Sequence, residues 1–179
     1  MKRGERGPRG RTTNGGERDM HKLVFFVLMV IVWWMLHALQ IDEEAALGTL
    51  HEGKRAVDRA AHAAAQQTDR DKLEAGVLSI DEEKALAAAE QYLQANLRLG
   101  ADNTPMPGAF LRDRAEVRAF RVVNENETFP YVYRNPEYGY EVTLNRPGVV
   151  LIVHLVYPRM FGVLAPVEWD LKGSAELVY

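Results

Sequence analysis

Leu23–Ile41 reads LVFFVLMVIVWWMLHALQI, nineteen consecutive residues without an Asp, Glu, Lys or Arg. At about 1.5 Å per residue a helix of that length spans roughly 28 Å, close to the hydrocarbon thickness of a bilayer. Seven Lys and Arg precede it (Lys2, Arg3, Arg6, Arg9, Arg11, Arg18, Lys22) against three acids (Glu5, Glu17, Asp19). That leader carries +4, which leaves −7 for the rest of a chain of net charge −3. Asp42, Glu43 and Glu44 follow the run at once. Basic residues flanking a span stay on the cytoplasmic side, so the expected topology is amino terminus inside, with residues 42–179 outside. No later segment offers a second span. Val149–Tyr157 (VVLIVHLVY) has only nine residues, the length of a buried strand.

A cleaved secretory signal is the competing reading of the same run. Signal cores are usually about 7–15 residues long and end at a small-x-small site. This run is longer, and Ala38-Leu39-Gln40 does not fit that site; Ala46-Leu47-Gly48 is the passable one nearby. An uncleaved anchor is the expectation.

Residues 1–22 are Gly- and Arg-rich with few apolar side chains, and predict a disordered basic cytoplasmic tail that can meet anionic lipid headgroups. No aromatic residue is interleaved with its arginines, so nucleic acid is not an expected partner. Residues 42–68 contain no proline, and Ala46, Leu50, Gly53, Val57, Ala61 and Ala64 recur at helical steps of three and four. The simplest expectation is a single helix from the membrane to about residue 68, with a narrow face of small side chains suited to packing on other helices. The charged face opposite includes Glu44, His51, Lys54, Arg55 and Asp58.

A break falls at 68–78. Ser79 and Glu82 have capping-box spacing, predicting a second helix over about 80–97 with Gly100 as its C-terminal cap. Residues 101–108 (ADNTPMPG) read as a linker, and the span 69–100 as linker plus helix. Strands are expected near 116–124, 129–134, 138–145, 149–157 and 169–178, with turns at Asn124–Glu127, Asn135-Pro136 and Arg146-Pro147-Gly148. The almost wholly apolar 149–156 should be the central strand. The expected fold is therefore α+β: a transmembrane helix continuing into an Ala-rich helix, a second helix, and an antiparallel β-rich domain over 101–179.

Enzyme chemistry finds little footing. The chain has no cysteine, which excludes disulfides, thiolate metal sites and cysteine nucleophiles. Beyond the span stand two serines, Ser79 and Ser174, neither in a nucleophile elbow, and there is no phosphate-binding Gly-rich loop. Glu44, His51, Asp58 and His62 share a helix face at spacings that could bring metal ligands together, but any amphipathic helix has a solvated polar stripe, and that is the strongly preferred reading. His154 interrupts the most apolar strand without an accompanying nucleophile, and His37 lies inside the span without an acid. No catalytic residue, cofactor or metal is expected. Tyr131, Tyr133 and Tyr140 could form a ligand face for sugars or peptides; cross-strand packing is the plainer use of such rings.

The basic leader, the single span, and the helix carrying Arg55-Ala-Val-Asp58-Arg-Ala-Ala61-His-Ala-Ala-Ala65 resemble the TadE/TadG-like proteins of Tad (tight adherence) pilus assembly. The likeness covers about residues 20–70, and the strands only in general form. It implies a non-enzymatic, membrane-anchored component of a Tad/Flp-type pilus or related secretion apparatus, in contact with lipid and with other apparatus proteins or copies of itself. Prepilin substrates carry a glycine before the processing site and a glutamate soon after, at the start of the apolar stretch. Here Gly16-Glu17 stands apart from the run and no acid lies within 23–41, so that signature is missing. The alternative reading is an anchored binding or sensing domain for cell-wall or surface ligands, and an anchored hydrolase ranks third.

Overall fold

The computed structural model describes residues 14–157, 159–161 and 164–178. In chain order the elements are α1 (Asn14–Ala65), α2 (Arg70–Glu74), α3 (Glu82–Leu97), β1 (Glu116–Val123), β2 (Tyr131–Asn135), β3 (Tyr140–Leu144), β4 (Gly148–Tyr157) and β5 (Val167–Glu176). The fold is α+β, with a long apolar amino-terminal helix and antiparallel sheet. Two compact units divide it, one ending at Ile41 and the other comprising Asp42–Tyr179. The expected unstructured tail over 1–22 meets helix from Asn14 onward, while residues 1–13 lie outside the described residues.

In the first unit the large apolar side chains from Leu23 to Leu36 are exposed. The helix is long and apolar enough to cross a membrane, with a mean hydropathy of 2.2 over its most apolar stretch. Apolar side chains turned outward all round a helix suit hydrocarbon as solvent.

The second unit is built in layers. Strands β1-β4-β5 form a three-stranded antiparallel sheet with β4 in the middle. One face of that sheet, with Val149, Leu151, Val153, Leu155, Leu171 and Ala175, joins a core made by α1 and α3. The opposite face contributes Val123 and Val150 to a smaller core under the β2–β3 hairpin. Successive strand residues point to opposite faces, so a strand covered on both sides must be apolar throughout. GVVLIVHLVY satisfies that demand, and Val149 to Val153 are fully buried.

The segments joining the helices differ from the sequence expectation in an instructive way. The break at 68–78 contains the short helix α2, capped by Asp69, whose side chain accepts hydrogen bonds from Asp71 N and Lys72 N. The cap of α3 is Asp81, accepting from Lys84 N, and not Ser79. Ser79 and Ile80 are held extended, since Thr68 pairs with Ile80 and Asp69 N donates to Ser79 O, so helix begins only beyond them. At the other end of α3 the left-handed capping position is Arg98 (φ 54°), two residues before Gly100. The expected linker after it is folded in: Leu99 pairs with Pro105, and Ala109, Leu111 and Ala115 are buried. Residues 42–68, 69–100 and 101–179 therefore belong to one compact unit and not to a separate stalk, connector and head.

Candidate functional site

The small-residue face of α1 is used within the chain. Ala46, Gly53, Val57, Ala61 and Ala64 are buried and Leu50 is half-buried, and the stripe widens to include Ala56, Ala60 and Ala65. What covers it is the chain's own sheet. A Cβ built on Gly53 would lie 2.8 Å from the tips of both Leu155 and Leu171, and one on Gly173 would lie 2.9 Å from Val57 Cγ1 and 3.2 Å from the Val57 carbonyl oxygen. Glycines on helix and strand thus bring the two backbones close together. The same core holds Ala85, Ala89, Leu93 and Leu97 of α3, and Arg59 donates to Asn96 Oδ1 at 2.7 Å. The face expected to meet other helices of an assembly is occupied by β4, β5 and the α3 core, because the sheet supplies Leu and Val side chains long enough to fill the shallow alanine surface.

Tyr131, Tyr133 and Tyr140 come together on the β2–β3 hairpin, where Tyr131 pairs with Leu144 and Asn135 with Tyr140. All three rings are half-buried against Val123, Leu144 and Val150. Tyr133 and Tyr140 lie 6.5 Å apart between centroids, and the Tyr140 hydroxyl donates to Ser174 Oγ at 3.1 Å. The rings fasten the hairpin to the sheet instead of standing free as a platform. The hairpin is stiffened by Arg134, whose Nε and Nη2 donate to the two Glu141 carboxylate oxygens at 2.7 and 3.2 Å. That pairing holds the Glu141 carboxyl below its ordinary pKa.

His154 lies on β4 opposite Asp170 of β5, with Nδ1 2.9 Å from Asp170 Oδ1 and Nε2 3.9 Å from Glu168 Oε2. Asp170 orients the imidazole. Ser174 lies four residues along β5 from Asp170, about 14 Å at strand spacing, beyond reach of the ring. Ser79 is fully buried and accepts a hydrogen bond from Lys72 Nζ at 3.2 Å. On α1, His51 and His62 are exposed and Asp58 pairs with Lys54. Among the described residues, no group of three or more His, Asp and Glu is arranged to hold a metal ion. Within the apolar run the His37 ring lies 4.4 Å from the Trp33 ring, tilted by 32°, one helical turn away.

One constellation had no sequence signal beyond flank charge. Asp42 is 1 % exposed. Its Oδ1 accepts from the Met160 backbone N–H at 2.6 Å, and its Oδ2 stands 4.0 Å from Arg159 Nη1. Glu43 Oε1 is also 4.0 Å from that nitrogen, and Arg159 Nε donates to Ala165 O at 3.0 Å. Arg159 and Met160 border a cleft of about 420 Å³ shared with Thr49, Phe110, Arg112 and Tyr157. The first acid after the apolar run is therefore a structural tie to the turn between β4 and β5, with its hydrogen-bond partner 118 residues further on.

No protein-family model matches this chain, and comparison with curated proteins and with solved structures gives no match either. Function must be read from the residues and their geometry.

Proposed function

We propose that this protein is a non-enzymatic, single-pass membrane protein of a Tad/Flp-type pilus or related secretion apparatus, with its amino terminus cytoplasmic and residues 42–179 extracytoplasmic. The observation that carries this reading is α1, in which one end exposes an unbroken apolar surface and the other is the core helix of an antiparallel β domain. Such a helix carries the apolar run and part of the folded domain's core in one element. Because the alanine face is already covered, partner helices would meet the protein through the span, where van der Waals packing and polar contacts drive association in lipid. The outer surface of the β domain would meet the rest of the apparatus.

Two experiments test it. A reporter that works only outside the cytoplasm, fused after Tyr179, should be active; activity confined to a cytoplasmic reporter overturns the orientation and the assignment with it. Deleting the gene in its native host should abolish surface filaments or the secretion they support, and complementation with the full chain should restore them. Unchanged filaments and secretion in the deletion strain would exclude the pilus role.

A further inference from the structure

The exposed large apolar side chains of Asp42–Tyr179 are mostly scattered, as on any protein surface. Met160, Phe161 and Leu164 are different. Among the described residues of that unit, only here do three fall within five positions, each about half exposed or more (67 %, 48 % and 46 %). They lie on the turn between β4 and β5, across which Arg159 Nε donates to Ala165 O. The same turn is tied by the Met160 N–H to Asp42 Oδ1. Asp42 follows Ile41, the last residue of the apolar run, by one peptide bond.

We propose that the β4–β5 turn is a second, interfacial membrane contact, in which Met160, Phe161 and Leu164 enter the headgroup layer of the bilayer that α1 spans. The proposal rests on the anchor reading of Leu23–Ile41. A lipid surface is the occupant because the turn is hydrogen-bonded to Asp42, the residue that follows the apolar run in sequence, and its neighbours suit that boundary. Half-buried Phe110 and exposed Arg112 line the adjoining cleft, an aromatic ring and a long cationic side chain that favour the interface, where an apolar stem and a polar end are both accommodated. Arg159 also faces Asp42 and Glu43, offsetting carboxylates that would otherwise oppose approach to phosphate-rich headgroups. Two attachments, one spanning and one interfacial, restrain the tilt of the domain over the membrane in a way that a lone helix does not.

The absence of cysteine makes the test direct. Single-cysteine variants of the full chain, Phe161→Cys and Leu164→Cys, are labelled with an environment-sensitive fluorophore and reconstituted in phosphatidylcholine vesicles. Ile31→Cys reports the span, and Glu137→Cys, on the exposed loop between β2 and β3, reports the aqueous domain surface. Labels at 161 and 164 should be quenched several-fold more than the label at 137 by lipids bearing a shallow spin label, and several-fold less by aqueous iodide. If both behave like the label at 137 while the label at 31 is lipid-quenched, the interfacial contact is refuted and the anchor stands. If the label at 31 is itself aqueous, the anchor reading fails and takes this proposal with it.

Discussion

At the scale of single residues, the glycines along α1 and β5 separate two demands that look alike in sequence. Gly48 has nothing within 4 Å of a built Cβ, so it spends helix stability without any packing return. Gly48→Ala should raise stability by about 0.5–1 kcal/mol, seen as a higher urea midpoint at unchanged slope. Gly173 answers to a backbone oxygen of Val57, which cannot move aside as a side-chain tip can. Gly173→Ala must push the strand from the helix and should cost about 1–3 kcal/mol in the same measurement. Gly53 lies between these cases, since the atoms it would meet are mobile leucine tips. Asn124 is a different kind of single point. It is buried, accepts from Ile80 N at 2.8 Å and donates to Ile80 O at 3.0 Å, so its side chain replaces a strand partner for that residue. Asn124→Ala leaves both backbone groups unpaired and should cost about 2 kcal/mol or more by urea unfolding. Asn124→Asp restores only the first bond and sets an oxygen against the Ile80 carbonyl, so it too should be destabilised.

Between elements, the joint of α2, α3 and β1 is electrostatic as well as packed. Lys72 of α2 donates to Glu125 Oε1 at 2.6 Å, just beyond β1. That bond lowers the Glu125 pKa from its ordinary 4.5, with a hydrogen bond from Ser79 adding to the effect, and raises Lys72 from 10.5. Asp81 is lowered from 3.8, chiefly by its hydrogen bonds to Lys84. A depressed carboxyl pKa gives stability that is present above the unfolded value and lost as pH falls through the folded one. A raised lysine pKa gives stability that is present below 10.5 and lost as pH rises past its folded value. The urea midpoint should therefore decline on both sides of a neutral plateau, and Lys72→Met should flatten the share of the acid limb that belongs to Glu125. An acid limb of identical slope in the variant would refute that account.

This joint also explains where sequence reading succeeded and stopped. The strands could be read because alternation and the unbroken apolar run of β4 are local patterns of period two. The α3 cap could not. Ser79 and Asp81 both offer a capping oxygen at suitable spacing, and the choice is made by Thr68 and Asn124, which hold Ile80 extended from elsewhere in the chain. The narrowness of the alanine face is plain in the sequence, but its cover on β4 and β5 comes from strands far along the chain. Asp42 looked like a flank charge because its partners, Arg159 and Met160, are equally distant.

For the whole molecule, the two units differ in surface character, one exposing large apolar side chains along its length, and should be separable. The main core begins at Ala56, and no residue of the apolar run belongs to it. The ties nearer the boundary, Ala46 and the Asp42 bond to Met160, also lie within Asp42–Tyr179. A chain consisting of residues 42–179 should therefore keep its fold when the apolar run is removed, with a cooperative thermal transition and the circular dichroism of a mixed helix–sheet protein. New helix ends at residue 42 cost only the first-turn hydrogen bonds, which water can replace. The full chain should need detergent or lipid to stay dispersed, whereas residues 42–179 should not, because the exposed Leu23–Leu36 surface is gone. Non-cooperative melting of the shorter chain would mean that α1 requires its apolar half to hold the sheet, and the division at Ile41 would then be one of composition and not of folding.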